Sequence, residues 1–401
     1  MRQINFCTMI IGTVLLTILS SPAIARIKLI TLPVRQRVEI QLDNDQATLV
    51  EEERIVPLVE GVNQVDFSWA NTQIDPNTVV FRAVGSGESA DDDTARLINV
   101  LSVSYPPGEN ALVWQVSSNQ SGSVRVRISY ILGSLNKSFH YRAVAANDET
   151  TLTFAQYMRL QNFANESFGN SNIWAGFGPD FTKPVGINET KEMLVAKFRN
   201  VSIKKTYTCN PAEFDYIDRP KNKLRVPMHY VLRNSRDRQF GQAPWPYGKV
   251  RIFQDDGRGT TAFLGEDWGQ FTPIDGQMKL YLGVAQDIVV KRTIEKSDRQ
   301  RVAGNLFHHE VVIKYEIENF KNQKVTLDLA EDLAMIRNEA LGGDSDRDVE
   351  WQIGELTTLS DPDKEETFHQ RVLFHVDLDG ADGGKADKIV HKLHILIKNE
   401  W

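Results

Sequence analysis

Asp344, Asp346 and Asp348, with Glu355 in the twelfth place, carry the acidic spacing of a helix–loop–helix calcium site. Such a loop needs glycine at its sixth position to turn sharply, and Val349 stands there. The chain then runs into Val349-Glu350-Trp351-Gln352-Ile353, which alternates like a strand. A solvated acidic loop accounts for these residues better than an ion site, and the same holds for Asp377, Asp379 and Asp382. The histidines offer no zinc set. His308 and His309 would face opposite sides of a strand, as would His391 and His394, while His369 and His375 share a wet face with Arg371. Zinc wants three or four converging ligands, and no Cys or His partner stands at metal spacing. Ser134-Leu135-Asn136-Lys137 and Ser202-Ile203-Lys204-Lys205 match Ser-x-x-Lys. Serine acyl-enzyme chemistry wants that motif at a helix start with companion motifs, which are missing. No nucleophile elbow, phosphate loop or dinucleotide glycine pattern occurs, so no cofactor is expected. Carboxylates are numerous enough for glycoside hydrolysis, which needs a pair about 5 to 9 Å apart in a cleft.

Aromatic residues give the one positive lead. Trp245 and Tyr247 interleave with Pro244 and Pro246. Each proline disfavours the right-handed helical region at the residue before it, so the loop should be extended and stiff. A stiff loop presenting flat rings suits sugar or peptide binding at low entropic cost. Trp245 and Tyr247 are therefore the candidate ligand-binding residues. The competing expectation is that Trp245 folds inward and caps a sheet edge, as large aromatics commonly do. Trp69, Trp114 and Trp351 lie in alternating apolar runs and read as core.

The elements that must position these residues are strands. Val124, Val126, Ile128 and Tyr130 share one face against Arg125, Arg127 and Ser129. His309, Val311, Ile313, Tyr315 and Ile317 alternate with Glu310, Lys314, Glu316 and Glu318; Val38, Ile40 and Leu42 with Glu39 and Gln41; Met278, Leu280 and Leu282 with Lys279 and Tyr281. Each pattern describes a strand with one buried and one wet face, the mark of antiparallel sheets. Helical spacing is confined to Glu189 to Asn200, which could equally be a long strand, and Leu329 to Leu341. Turn signals stand at Asp43-Asn44-Asp45, Pro106-Pro107-Gly108, Asp255-Asp256-Gly257, Asp275-Gly276 and Asp377 to Asp387. The expected fold is all-β: several antiparallel β-sandwiches, immunoglobulin-like or related, with very little helix.

The N-terminus reads as an address. Arg2 supplies a positive start, Met9 to Leu19 a short apolar run, and Ala23-Ile24-Ala25 a small-x-small cleavage site, so residues 1–25 are expected to be a signal peptide and Arg26 the mature N-terminus. The apolar run falls short of the about 20 residues that span a bilayer. The mature chain is thus expected to be exported and soluble, in the periplasm or at the cell surface, with no membrane span. Loss of Arg2 takes the formal charge from −7 to −8. An acidic exported chain is not built to neutralise phosphates, which excludes nucleic acid as the expected partner. Only Cys209 remains once Cys7 is removed, so no internal disulfide can form and stability must come from cores. Boundaries are expected at Pro106-Pro107-Gly108 and within Asn210 to Lys223, giving an N-terminal β domain (26–105), a central strand-rich region (106–222) and a C-terminal sandwich (223–401).

An ordered series then resembles a known family. Gly248-Lys249-Val250-Arg251-Ile252-Phe253, Phe263-Leu264-Gly265-Glu266-Asp267, Thr272-Pro273, Leu280-Tyr281-Leu282-Gly283 and Asp287-Ile288-Val289-Val290-Lys291-Arg292 follow one another. Upstream stand Arg54, Gly61, Asn63, Val65, Phe67 and Ile74-Asp75-Pro76; downstream, Glu318-Asn319-Phe320-Lys321 and Trp401. The series resembles the bacterial domain-of-unknown-function 4139 family, also found in mucoidy-inhibitor-A-like proteins. The resemblance implies an exported, β-rich protein and carries no catalytic residues. Where that family tends to have Pro-Leu-Pro-Ala-Gly, this chain has Pro244-Trp245-Pro246-Tyr247-Gly248, and Asp377 to Asp387 reads as an extra-long hairpin. The functional expectation is a non-catalytic exported cell-envelope protein, a binding or structural module touching protein, peptidoglycan or polysaccharide. The alternative is an envelope glycan hydrolase with an unidentified carboxylate pair.

Overall fold

The computed structural model describes residues 28–44, 47–69, 71–84, 98–176, 178–236, 241–304, 306–341, 349–364 and 370–400. The expected signal peptide, the acidic positions Asp344 to Asp348, and His369 lie outside them. The chain divides into two compact units: residues up to Ser134 with Phe163–Ile173 and Phe181–Ile187 form the first, and the remainder forms the second. The fold is all-β, as the alternation predicts. Among the described residues no helix is long and apolar enough to cross a membrane.

The first unit contains β1 (Lys28–Thr31), β2 (Arg37–Gln41), β3 (Thr48–Leu58), β4 (Gly61–Ser68), β5 (Val80–Val84), β6 (Ile98–Ser104), β7 (Ala111–Ser118) and β8 (Gly122–Leu132). Two later strands, β11 (Phe168–Trp174) and β12 (Phe181–Val185), complete it. They form two sheets, ordered β1-β4-β7-β6 and β12-β11-β2-β3-β8-β5. Their inner faces meet through rings: Phe67 of β4 lies 5.8 Å from Tyr130 of β8, and Phe81 of β5 lies 5.0 Å from Trp114 of β7. This is a sandwich. Val124, Val126, Ile128 and Tyr130 are all buried, so the register read from the sequence is the one that forms. Val126→Asp is expected to cost several kcal/mol, because it buries an unpaired charge. Arg127→Asp on the outer face would instead meet Glu51 and Glu53, which Arg127 now neutralises, and should cost about 1 kcal/mol. Equal shifts in denaturation midpoint would refute this register.

One inward pair breaks the apolar pattern. Glu52 is fully buried between Val50 and Val56 on β3 and accepts hydrogen bonds from Arg35 and Arg54. Arg54 also donates to the Pro33 carbonyl, so the ion cluster pins the loop that carries the chain from one sheet to the other. Pro106-Pro107-Gly108 is not a boundary. It is the turn joining β6 to β7 within one sheet, with Glu109 N–H bonding the Pro106 carbonyl.

The second unit holds β9 (Leu135–Ala145), β10 (Thr151–Asn162), β13 (Thr190–Cys209), β14 (Tyr216–Asp218), β15 (Lys223–Leu224), β16 (Pro227–Arg233), β17 (Gly248–Asp255), β18 (Thr261–Gly269) and β19 (Gln277–Val284). It continues with β20 (Ile288–Ala303), β21 (Leu306–Asn319), β22 (Val325–Asp332), the helix α1 (Leu333–Leu341), β23 (Glu350–Ile353), β24 (Arg371–Leu378) and β25 (Lys388–Glu400). Strands run in the order β18-β17-β9-β10-β13-β16-β19. The two ends of that run come together: Tyr281 N–H of β19 donates to the Asp267 carboxylate of β18 at 2.7 Å, and Met278 fills the space beside Gly269. The run therefore curls into a barrel. Its interior is Tyr141, Phe154, Met158, Tyr230, Leu232, Val250, Ile252 and Leu280, all buried. β9 and β17 pair in parallel, as do β13 and β22, and β1 and β4 in the first unit, a feature that strand alternation does not reveal.

Glu189 to Asn200 belongs to strand β13, which has ladder partners in β10 and then β16 to satisfy its backbone. Leaving the barrel, β13 pairs with β22, and β22 with β24; these pack over the sheet β14-β15-β20-β21-β25-β23. The shared core includes Leu327, Leu329, Phe374 and Val376 facing Ile313, Tyr315, Ile317, Leu393 and Ile395. Asn210 to Lys223, expected at a boundary, lies within this unit as a turn and β14. Leu329 to Leu341 is helical only from Leu333, where the Asp332 carboxylate accepts the Met335 N–H at 3.2 Å. Asp377 to Asp387 is not a hairpin. β24 and β25 belong to different sheets, and the segment crosses between them, held by Asn319, whose amide donates to the Asp379 carbonyl at 2.9 Å.

His375 on the outer side of β24 lies between two carboxylates. Its Nδ1 is 2.8 Å from Asp328 and its Nε2 2.8 Å from Asp363. Both ring nitrogens donate only in the imidazolium form. The Asp363 bond first, opposed by partial burial and reinforced by Asp328, raises the His375 pKa above the ordinary 6.5. The clamp therefore contributes fully below the unfolded-state value and is lost as pH rises through the raised one. With the ring half exposed, the contribution should stay below about 1 kcal/mol. His375→Asn is expected to lower the urea midpoint at pH 5.5 and to leave it nearly unchanged at pH 9. A deficit of equal size at both values would contradict the clamp.

Candidate ligand-binding surface

The Pro244 to Gly248 segment is positioned by residues far away in sequence. At the end of β16, Asn234 is fully buried. Its side-chain amide donates to the Ala243 carbonyl at 3.0 Å and the Pro273 carbonyl at 3.2 Å, tying together the loops on either side of the β17–β18 hairpin. Trp245 exchanges two 2.8 Å backbone hydrogen bonds with Thr272, and the Tyr141 hydroxyl donates to the Pro246 carbonyl at 2.6 Å. The prolines keep the segment extended, which is what lets Trp245 meet Thr272 as a strand would.

Trp245 does not present its ring outward. It is 1% exposed and enters the barrel, 5.0 Å from Phe154 and 6.5 Å from Phe198 by ring centroids. The expectation of a stacking surface at Trp245 is therefore corrected. An indole has more apolar area than a loop can leave in water when a barrel end lies open beside it.

Tyr247 keeps the exposed role. It is 52% exposed and stacks on Trp268 of β18, itself 48% exposed, with centroids 5.1 Å apart and planes within 2°. Lys249 sits opposite Trp268 in the hairpin, its Nζ 5.1 Å from the ring centroid and 2.8 Å from Glu266. That ammonium holds the Glu266 carboxyl below its usual range. Phe271, 62% exposed, extends from the following loop. Gly248 permits the arrangement, because a Cβ there would lie 2.4 Å from the Phe139 carbonyl oxygen of the neighbouring strand. Chemically, this is a platform: two parallel rings, with an ammonium and a carboxylate alongside for directed hydrogen bonds.

Trp268, Lys249 and Asn234 escaped the sequence reading. A partial signal for the first two existed, because the Asp255-Asp256-Gly257 turn implies a hairpin. Counting back along both arms from Asp255 opposite Thr261 would set Lys249 against Asp267, and a bulge between Ile252 and Phe253 shifts the pairing by one to Trp268. Asn234 has no such signal, since its role is set by carbonyls up to 39 positions away.

The other constellations resolve structurally. Ser134 sits at positive φ in the turn between β8 and β9, and Ser202 lies within β13, so neither Ser-x-x-Lys motif starts a helix. His309 and His394 are buried in strands. Asp377 pairs with Lys324 at 2.9 Å and accepts from Thr326. Cys209 is buried in the sandwich core, where burial pushes its thiol pKa up and removes it from thiolate chemistry. Among the described residues every carboxyl with a shifted pKa is shifted down: Glu192, Asp215, Asp256, Glu266, Glu310, Glu316 and Asp377. A glycosidase acid needs the opposite shift. No family model matches the chain, and no curated protein does.

Proposed function

We propose that this chain is an exported, non-catalytic module of the bacterial cell envelope that binds polysaccharide through the Tyr247–Trp268 platform. The observation that carries this reading is the pair itself. Two large rings, about half exposed, are held parallel on a rigid hairpin beside Lys249 and Glu266. The C–H face of a pyranose ring is weakly positive and complements the negative face of an aromatic ring, while the flanking charges bond its hydroxyls. Ordering is prepaid by the fold, so little entropy is lost on binding. The signal-like N-terminus and the resemblance to the domain-of-unknown-function 4139 family support the envelope address.

The test is a glycan array probed with the protein and with Trp268→Ala. The variant should lose at least about tenfold in signal on every glycan retained, roughly the 1.4 kcal/mol expected of a lost stacking contact. Its melting temperature should move by no more than a few degrees, because the ring is half exposed on the outer surface and no core contact is lost. Unchanged array signals for Trp268→Ala would sink the reading.

A further inference from the structure

The platform is the end of a longer feature. Strand register carries it sideways across the outside of the barrel. Trp268 of β18 stands opposite Lys249 of β17, Lys249 opposite His140 of β9, His140 opposite Tyr157 of β10, and Tyr157 opposite Leu194 of β13. His140 and Tyr157 stack as Tyr247 and Trp268 do, with centroids 5.2 Å apart and planes within 10°. Leu194 is 48% exposed. The row thus crosses five strands. At about 4.8 Å per strand its ends are some 19 Å apart, the length of several sugar rings laid end to end.

A second row runs beside the first, two residues along on four of the strands and three along on β13, where a bulge falls between the rows and keeps the pair on the same face. It reads Glu266, Arg251, Arg142, Ala155 and Lys197 across the same strands. Arg142 lies over the Phe253 ring at 4.9 Å, and neither it nor Lys197 is paired with a carboxylate among the described residues. Arg159, on the far side of the ring row, shares Glu192 with His140. Around the rings stand Lys249, Arg251, Arg142, Lys197 and Arg159, against Glu266 and Glu192. This surplus of cations occurs on a chain whose formal net charge is −7. A neutral polymer would gain nothing from it, whereas a polymer with carboxylates along it would meet cations on β17, β9 and β13.

We infer that the ligand is an acidic polysaccharide, a uronate-bearing chain lying across the strands from Trp268 to Leu194, with its rings on the aromatic row and its carboxylates on the Arg142–Arg251–Lys197 row. This inference rests on the polysaccharide reading above and adds the charge and direction of the chain. Discrimination would come from the cations and basal affinity from the rings.

The experiment measures binding of the full chain to polygalacturonate, alginate and hyaluronate, and to the methyl-ester form of each, at low and high salt. At least one acidic polymer should bind about tenfold more tightly than its ester, with the difference collapsing as salt screens the charges. The double variant Arg142→Gln, Lys197→Gln alters two surface side chains and should erase that difference while leaving ester binding unchanged. Trp268→Ala should weaken both forms together. Equal binding of acid and ester, with Trp268→Ala still weakening both, overturns the charge inference and leaves the ring platform standing. Preference for the acid that survives Arg142→Gln, Lys197→Gln places the cation selectivity elsewhere and overturns the second row. Binding to none of the three acids overturns the inference, and if the esters and the array are also blank, the polysaccharide reading falls with it.

Discussion

Glu331→Ala is expected to cost about 3 to 5 kcal/mol of stability, because it strands a guanidinium in the core of the C-terminal sandwich. Glu331 is fully buried and Arg292 is 1% exposed. Arg292 donates to Glu331 through Nε at 2.7 Å and Nη2 at 3.1 Å, a two-pronged pair, and the Tyr315 hydroxyl donates to the same carboxylate. Its remaining nitrogen reaches Glu339 at 2.5 Å and the Tyr216 hydroxyl at 3.2 Å. Removing Glu331 leaves Glu339, at the water-facing end, as the sole carboxylate partner among the described residues. The melting temperature should fall by roughly ten degrees for a unit of this size. The companion variant is the informative one. Arg292→Met with Glu331→Leu removes both charges at similar volume and should lie within about 1 to 2 kcal/mol of the parent, since desolvating an ion pair cancels most of its attraction. A double variant as unstable as Glu331→Ala would show that shape, not charge, dominates there. The pair also explains why two charged residues persist on inward faces of β20 and β22: together they join the two sheets and tie in α1 through Glu339.

Trp245→Ala should cost about 3 to 5 kcal/mol, the usual toll of emptying a large aromatic site that cannot collapse. The rings of Tyr141, Phe154 and Phe198 are held by barrel strands and cannot close over the gap. The indole Nε1 has no hydrogen-bond partner among the described residues. Trp245→Phe should therefore recover much of the loss, as it keeps most of the apolar contact and removes a buried unpaired donor. This variant separates two roles that adjacent sequence positions disguise. Trp268→Ala should weaken glycan binding at a nearly unchanged melting temperature, whereas Trp245→Ala should lower the melting temperature first, and binding only as the loop carrying Tyr247 loosens. Calorimetry on the two single variants decides it. A Trp245→Ala protein melting with the parent would put the ring outside the barrel.

The alternating runs determined a great deal. Val124 to Tyr130, Val38 to Leu42 and His309 to Ile317 each alternate with period two, and each became a strand with the predicted face buried. Period two is a local property, because successive side chains leave a strand on opposite sides whatever the strand later pairs with. The turns at Asp255-Asp256-Gly257 and Asp275-Gly276 were equally legible, since they depend on residues within four positions. Partner choice was not. Asp377 to Asp387 looks locally like a hairpin, yet its flanking strands found better partners in β22 and β21, in two different sheets. Pro106-Pro107-Gly108 looks like a linker and is a turn within one sheet. Trp245 and Tyr247, two residues apart in the same stiff loop, received opposite fates: Trp245 packs on Phe154 inside the barrel, and Tyr247 stacks on Trp268 outside it. The candidate surface exists for the same reason. Lys249 and His140 become neighbours only through the parallel pairing of β17 with β9. Burial and long-range pairing, which depend on where every other strand goes, decided which of these side chains became core and which became surface.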